Sequence, residues 1–145
     1  PWQHVLEPLS GYLTLGLAAK KDIKLNGEAF NFGPRAEQNH TVVDLLDKLA
    51  RNWGFEDINK AYKVTGNVQF HEAGLLKLNC DKALHLLGWQ PSMNYEETVR
   101  MTAVWYKEFY NKRTDMWDTT LTQISEYVEF MKGNFFVKDP TRISS

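Results

Sequence analysis

The side chains able to do chemistry fall into two small polar clusters. Gln3, His4 and Glu7 stand at the start of an apolar run, and His71 and Glu72 are adjacent in a stretch without regular period. A neutral imidazole can donate to a ribose or phosphate oxygen, and a carboxylate can accept from a hydroxyl or an amino group. A histidine beside a carboxylate can therefore hold a sugar or phosphate; a surface loop without a role reads equally simply. His4 and Glu7 share a helix face only if a helix begins that early, and His4 can equally be a hydrogen-bonded structural residue at the helix start. Lys77 and Lys82 offer charge to a phosphate, although solvation is the commoner fate of lysines. Trp89, just after Gly88, reads as an apolar plug that seats a short helix on the core.

Several reaction classes lack their residues. No glycine-rich phosphate loop follows a strand pattern, since Gly11 and Gly16 lie in a helical pattern at the wrong spacing. No Gly-x-Ser-x-Gly elbow and no Tyr-x-x-x-Lys pair is present, and no two histidines have zinc-enzyme spacing. The single cysteine, Cys80, excludes an intrachain disulfide and a cysteine-based metal site, and suits a reducing, cytoplasmic setting. With 17 basic against 18 acidic residues, nothing points to nucleic acid or to a polybasic membrane anchor. No apolar run is long enough to span a membrane, and no signal peptide is visible.

Helices must position most of these residues. Leu6, Leu9, Leu13 and Leu17, widened by Tyr12 and Leu15, predict a buried helix over 6–19, with Pro8 in its first turn. Gly11 and Gly16 lower its propensity but admit a close neighbour. A capping box of Thr41 and Asp44 opens a second helix, and Gly54 stops it. A short helix over 81–87 ends at Gly88. Asn94 and Glu97 cap a long helix whose face is Val99, Ala103, Tyr106 and Tyr110, with Met101 and Trp105. The last helix, over 119–131, runs through Leu121, Ile124, Val128 and Met131. Short strands are predicted at 28–33, where Phe30 and Phe32 alternate with Ala29 and Asn31, at 61–65 and at 75–78. The expected fold is a helix-rich α/β piece of about four helices, with residues 1–133 as one region and 134–145 as a tail without clear period. The opening Pro1-Trp2-Gln3-His4, apolar at once, suggests a cut through a domain.

Pro1–Leu13 (PWQHVLEPLSGYL), Gly27–Pro34 (GEAFNFGP), His71–Pro91, Trp105–Tyr110 (WYKEFY) and Thr120–Tyr127 together resemble the C-terminal part of the extended short-chain dehydrogenase/reductases that act on nucleotide sugars. The resemblance is greatest to members that dehydrate CDP-glucose. It implies an N-terminal Rossmann domain binding NAD, with the sugar nucleotide held between that domain and a smaller C-terminal one. It further implies oxidation of CDP-glucose at C4 by NAD, loss of water across C5 and C6, and return of the hydride to C6. Such a lyase supplies dideoxy sugars for the bacterial lipopolysaccharide O-antigen.

The family's catalytic tyrosine, lysine and acid–base carboxylate, and its glycine-rich loop, would lie upstream of Pro1. This chain alone is therefore expected to hold no catalytic group, no cofactor site and no metal. His71 falls where relatives place a nucleotide-contacting polar residue, but Val68 stands where many carry an arginine, and Asn79 where an aspartate is common. The candidate substrate-binding residues are Gln3, His4, His71 and Glu72. Self-association is expected through the aromatic-rich start and the helix over 94–111. The rival expectation, from another function class, is a stand-alone binding or scaffold protein built on such a domain.

Overall fold

The computed structural model describes residues 2–38, 40–65, 77–112 and 115–136. Its elements are α1 (Leu6–Lys21), α2 (Val42–Trp53), α3 (Asp81–Leu87), α4 (Tyr95–Lys112) and α5 (Trp117–Phe136), with 3₁₀ turns at Ile23–Leu25 and Ile58–Lys60. Among the described residues there is no strand, so the expected α/β class is corrected to all-α.

The physical reason is visible at 28–33. The chain there has no regular secondary structure, yet its side chains alternate: Phe30 and Phe32 stack with ring centroids 6.5 Å apart, while Asn31 is exposed. Among the described residues no segment pairs with it in a ladder. The period of two serves side-chain packing rather than a ladder. The 61–65 stretch likewise follows the Ile58–Lys60 turn without a strand partner among the described residues, and half of the run predicted at 75–78 lies outside them.

Local chemistry sets the helix boundaries. Thr41 and Asp44 make a reciprocal capping box, and Gly54 closes α2 in the left-handed conformation at φ 104°. Gly88 closes α3 in the same way at φ 65°. Asn94 and Glu97 exchange hydrogen bonds of 2.7 and 2.9 Å at the start of α4. Helix α5 continues past Met131 through Gly133 to Phe136.

Two small cores result. Phe32, Ala83 and Trp89 form one, with Leu15, Phe30, Cys80 and Leu87 packed against it. Met93, Met101 and Tyr127 form the other, flanked by Leu6, Phe130 and Met131. Helix α4 carries the most burial, at Val99, Met101 and Ala103, and packs on both α2 and α5. An Arg100–Glu126 ion pair joins α4 to α5, and a Lys48–Glu96 pair joins α2 to α4. No helix among the described residues is long and apolar enough to cross a membrane.

The buried faces of α1 and α5 differ from those the apolar spacing predicts. On α1 the buried residues are Glu7, Ser10 and Gly11, whereas Leu13 is 72% and Leu17 66% exposed. On α5 the buried residues are Gln123 and Tyr127, while Leu121, Ile124 and Val128 remain substantially exposed. Each helix buries polar or small residues most deeply and leaves much of its predicted apolar stripe outward, although Leu6 and Leu15 of α1 and Met131 of α5 still pack on the cores. Tyr106 and Tyr110 on α4 are also exposed.

Gly11 shows why α1 sits where it does. A methyl group there would meet the Phe32 ring at 2.4 Å, and Phe32 is wedged in turn against Trp89 at 4.9 Å. Nothing lies within 4 Å of the same position on Gly16. Gly11→Ala should therefore lower unfolding stability in urea by about 1–3 kcal/mol through overpacking. Gly16→Ala should be neutral or raise it by roughly 0.5–1 kcal/mol through helix propensity. Equal effects from the two changes would show that Phe32 yields freely. Thr41→Ala, which removes the cap of α2, should cost about 1 kcal/mol in the same measurement.

Candidate functional site

Residues 2–4 run beside the 32–40 segment and are fastened to it. The Trp2 indole N–H donates to the His40 carbonyl at 3.3 Å, and Gln3 Nε2 donates to the Phe32 carbonyl at 3.2 Å. His40 then stacks on Tyr95 at the start of α4, with centroids 3.6 Å apart. This lashing holds Gln3 and His4 at the N-terminal end of α1.

His4 is 7% exposed. Its Nδ1 accepts from the Leu6 N–H at 3.3 Å, and its carbonyl accepts from the Glu7 N–H at 3.0 Å. Burial pushes its pKa below the ordinary histidine value, which favours the neutral ring. With Nδ1 accepting, the ring proton belongs on Nε2. His4 is thus a structural residue at the start of α1, one of the two roles its position allows.

Gln3 and His4 nonetheless line a common cavity of about 400 Å³ with Val5, Thr102, Trp105 and Tyr106. Gln3 Oε1 is buried there without a hydrogen-bond partner. A buried acceptor left unpaired is costly. The cavity wall is largely apolar, with the Trp105 and Tyr106 rings and Thr102, whose hydroxyl already donates to the Thr98 carbonyl. Among the described residues no lysine or arginine lines the cavity.

A second, more open groove of about 550 Å³ lies beyond Phe32. Arg35 and Lys77 are its cations, with Asn79, Gln90 and the Trp89–Pro91 turn along its wall. Asn31 Nδ2 donates to the Asn79 carbonyl at 3.1 Å and ties the two loops that form it. Spacing alone does not reveal this groove, because its walls come from residues about 45 positions apart in sequence. Lys82 pairs with Glu28 at 2.5 Å and lies over the Phe30 ring. Trp89 is the plug its position suggests, 5% exposed against Phe32, with its indole N–H donating to Ser10 at 2.9 Å. Cys80 is half-buried and unpaired, and burial raises its pKa, which disfavours a reactive thiolate. Among the described residues no cluster of histidine, cysteine and carboxylates could hold a metal. The other two sequence-predicted site residues, His71 and Glu72, lie outside the described residues.

No family model matches the chain. The CDP-glucose 4,6-dehydratase of Salmonella typhimurium (strain LT2) is 38% identical to it over 128 residues. The match covers 88% of this chain but 34% of that protein, so the chain spans about a third of its relative's length. Identity at this level over this length does not arise from composition or shared helicity; the chain is homologous to part of a CDP-glucose 4,6-dehydratase-like protein.

Proposed function

We propose that this chain is the C-terminal, substrate-binding part of an NAD-dependent CDP-glucose 4,6-dehydratase. The observation that carries the reading is the 38% identity across 88% of the chain. Its described residues contain no strand leading through a glycine-rich turn into a helix, the arrangement that seats dinucleotides. In this reading NAD is held by the rest of the parent, where it takes and returns the hydride. This chain supplies a wall of the sugar-nucleotide pocket, with Gln3 and His4 supporting and His71 and Glu72 on the nucleotide side. Lyase chemistry needs cofactor and sugar held in register, so the chain alone is inactive.

The outward apolar stripe of α1 fits the same reading. Leu9, Tyr12, Leu13 and Leu17 make a contiguous apolar face of the kind that soluble monomers seldom leave bare. In the parent it is covered by the remainder of the polypeptide; on the isolated chain it drives self-association.

Three outcomes are expected. The purified chain incubated with CDP-glucose and NAD should form no 4-keto sugar, and turnover at an ordinary enzyme rate would contradict the proposal. His71→Ala in the complete parent should raise KM or lower kcat/KM for CDP-glucose while leaving NAD affinity unchanged; wild-type constants would make His71 a surface histidine. Light scattering should show the chain associating, and Leu13→Lys with Leu17→Lys should shift it toward monomer. A clean wild-type monomer at high concentration, together with tight CDP-glucose binding, would favour a stand-alone binding protein.

A further inference from the structure

Glu7 is 1% exposed, and no described cation forms an ion pair with it. Its two oxygens are treated differently. Oε1 accepts the two shortest backbone bonds, from Met93 N–H at 2.7 Å and Ser92 N–H at 2.8 Å. Oε2 lies 2.9 Å from the Tyr127 hydroxyl and only 3.1 Å from the Ser92 N–H. The Tyr127 oxygen is also 2.8 Å from Ser10 Oγ, and Ser10 Oγ is 2.7 Å from the Glu7 backbone carbonyl. The Trp89 indole N–H fills a further acceptor site on Ser10.

Protons can be counted along this chain. Three oxygen–oxygen contacts run in series, from Glu7 Oε2 to Tyr127, to Ser10, to the Glu7 carbonyl. Each needs one proton. Tyr127 and Ser10 supply one each, and the carbonyl supplies none. The Ser92 hydroxyl also bonds to Tyr127, but it brings its own proton with its own contact and leaves the deficit unchanged. An ionised Glu7 would leave two oxygens facing each other without a hydrogen between them.

We propose that Glu7 is held as a neutral carboxylic acid whose Oε2–H donates to Tyr127, so that Tyr127 donates to Ser10 and Ser10 to the Glu7 carbonyl in one closed direction, and that losing this proton loosens α5 from α1. The groups facing Glu7 act in both directions: burial among uncharged groups opposes ionisation, while the backbone N–H donors of Met93 and Ser92 favour it. Helix α1 contributes Ser10 and the buried, neutral His4. The turn before α4 contributes Trp89 and backbone N–H groups, and α5 contributes Tyr127. The one charge is the exposed Arg35 on the 33–38 segment, which favours ionisation but is not the largest influence. Desolvation leads, and it raises the Glu7 pKa above the ordinary carboxyl value. Burial also raises that of Tyr127, which stays a phenol.

The sign follows from linkage. A carboxyl whose folded pKa is raised contributes stability that is fully present below its unfolded pKa and is lost as pH rises through the folded one. Glu7→Gln tests this, because an amide keeps the acceptor for Ser92 and Met93 and the donor for Tyr127 while holding no titratable proton. Urea unfolding of both proteins should give matched midpoints at the acid end. As pH rises from the ordinary carboxyl range to the raised folded pKa of Glu7, the wild-type folding constant should fall relative to Glu7→Gln by up to about tenfold per pH unit, and then level off. A Glu7→Gln protein that is weaker throughout, with the gap closing as pH falls, would show an ionised Glu7 and overturn the proposal. The wild-type infrared spectrum at neutral pH decides independently of any variant's folding. A protonated-carboxyl C=O band should be present, and Tyr127→Phe should shift it. Absence of the band would equally overturn the proposal.

Discussion

One carboxyl group, buried in a chain with small cores, joins three parts of the molecule. Glu7 lies on α1, its backbone partners Ser92 and Met93 lie in the turn before α4, and Tyr127 lies on α5. These partners are 85 to 120 residues away in sequence. Leu6, next to Glu7, packs into the Met93–Met101–Tyr127 core. Ser10, one turn on, receives the indole N–H of Trp89 and so links the second core through Phe32. A buried polar network specifies geometry only if every member is satisfied. Here it fixes how α1 is rotated, with Glu7, Ser10 and Gly11 inward and Leu9, Leu13 and Leu17 out.

That rotation connects the fold to the function proposed. The same turn of α1 that buries Glu7 sets His4 at the helix start and Gln3 against the Phe32 carbonyl, both on the wall of one cavity. It also aims Leu13 and Leu17 away from everything described here. A helix with a polar inner face and an apolar outer one is anomalous for a free-standing domain. It is ordinary for a helix shared between two layers of a larger enzyme, which is what a match to a third of a dehydratase's length supports.

Much of the helical skeleton was legible in the sequence because its punctuation is local. Thr41 with Asp44, Asn94 with Glu97, and Gly54 and Gly88 each act within one helical turn and need no tertiary partner. The orientation of α1 and α5 was not legible. Leucine spacing assigns an apolar face but not what covers it, and a lone glutamate at position 7 gives no sign that distant backbone N–H groups will claim it. The Phe30–Phe32 alternation predicts a strand, but it reflects side-chain stacking, because pairing depends on a neighbour absent from the described residues. Gln3 and His4 were recognised as neighbours of interest. Their cavity was not, because Thr102 and Trp105 reach it from a helix about 100 residues away.

The most direct test of the account exchanges this chain for the homologous segment of the Salmonella CDP-glucose 4,6-dehydratase and assays the chimera. If the chain is a substrate wall of that enzyme class, the chimera should bind NAD and convert CDP-glucose to its 4-keto-6-deoxy product, with the greatest change in KM for the nucleotide sugar. A folded chimera that binds NAD normally yet neither binds nor converts CDP-glucose would contradict it.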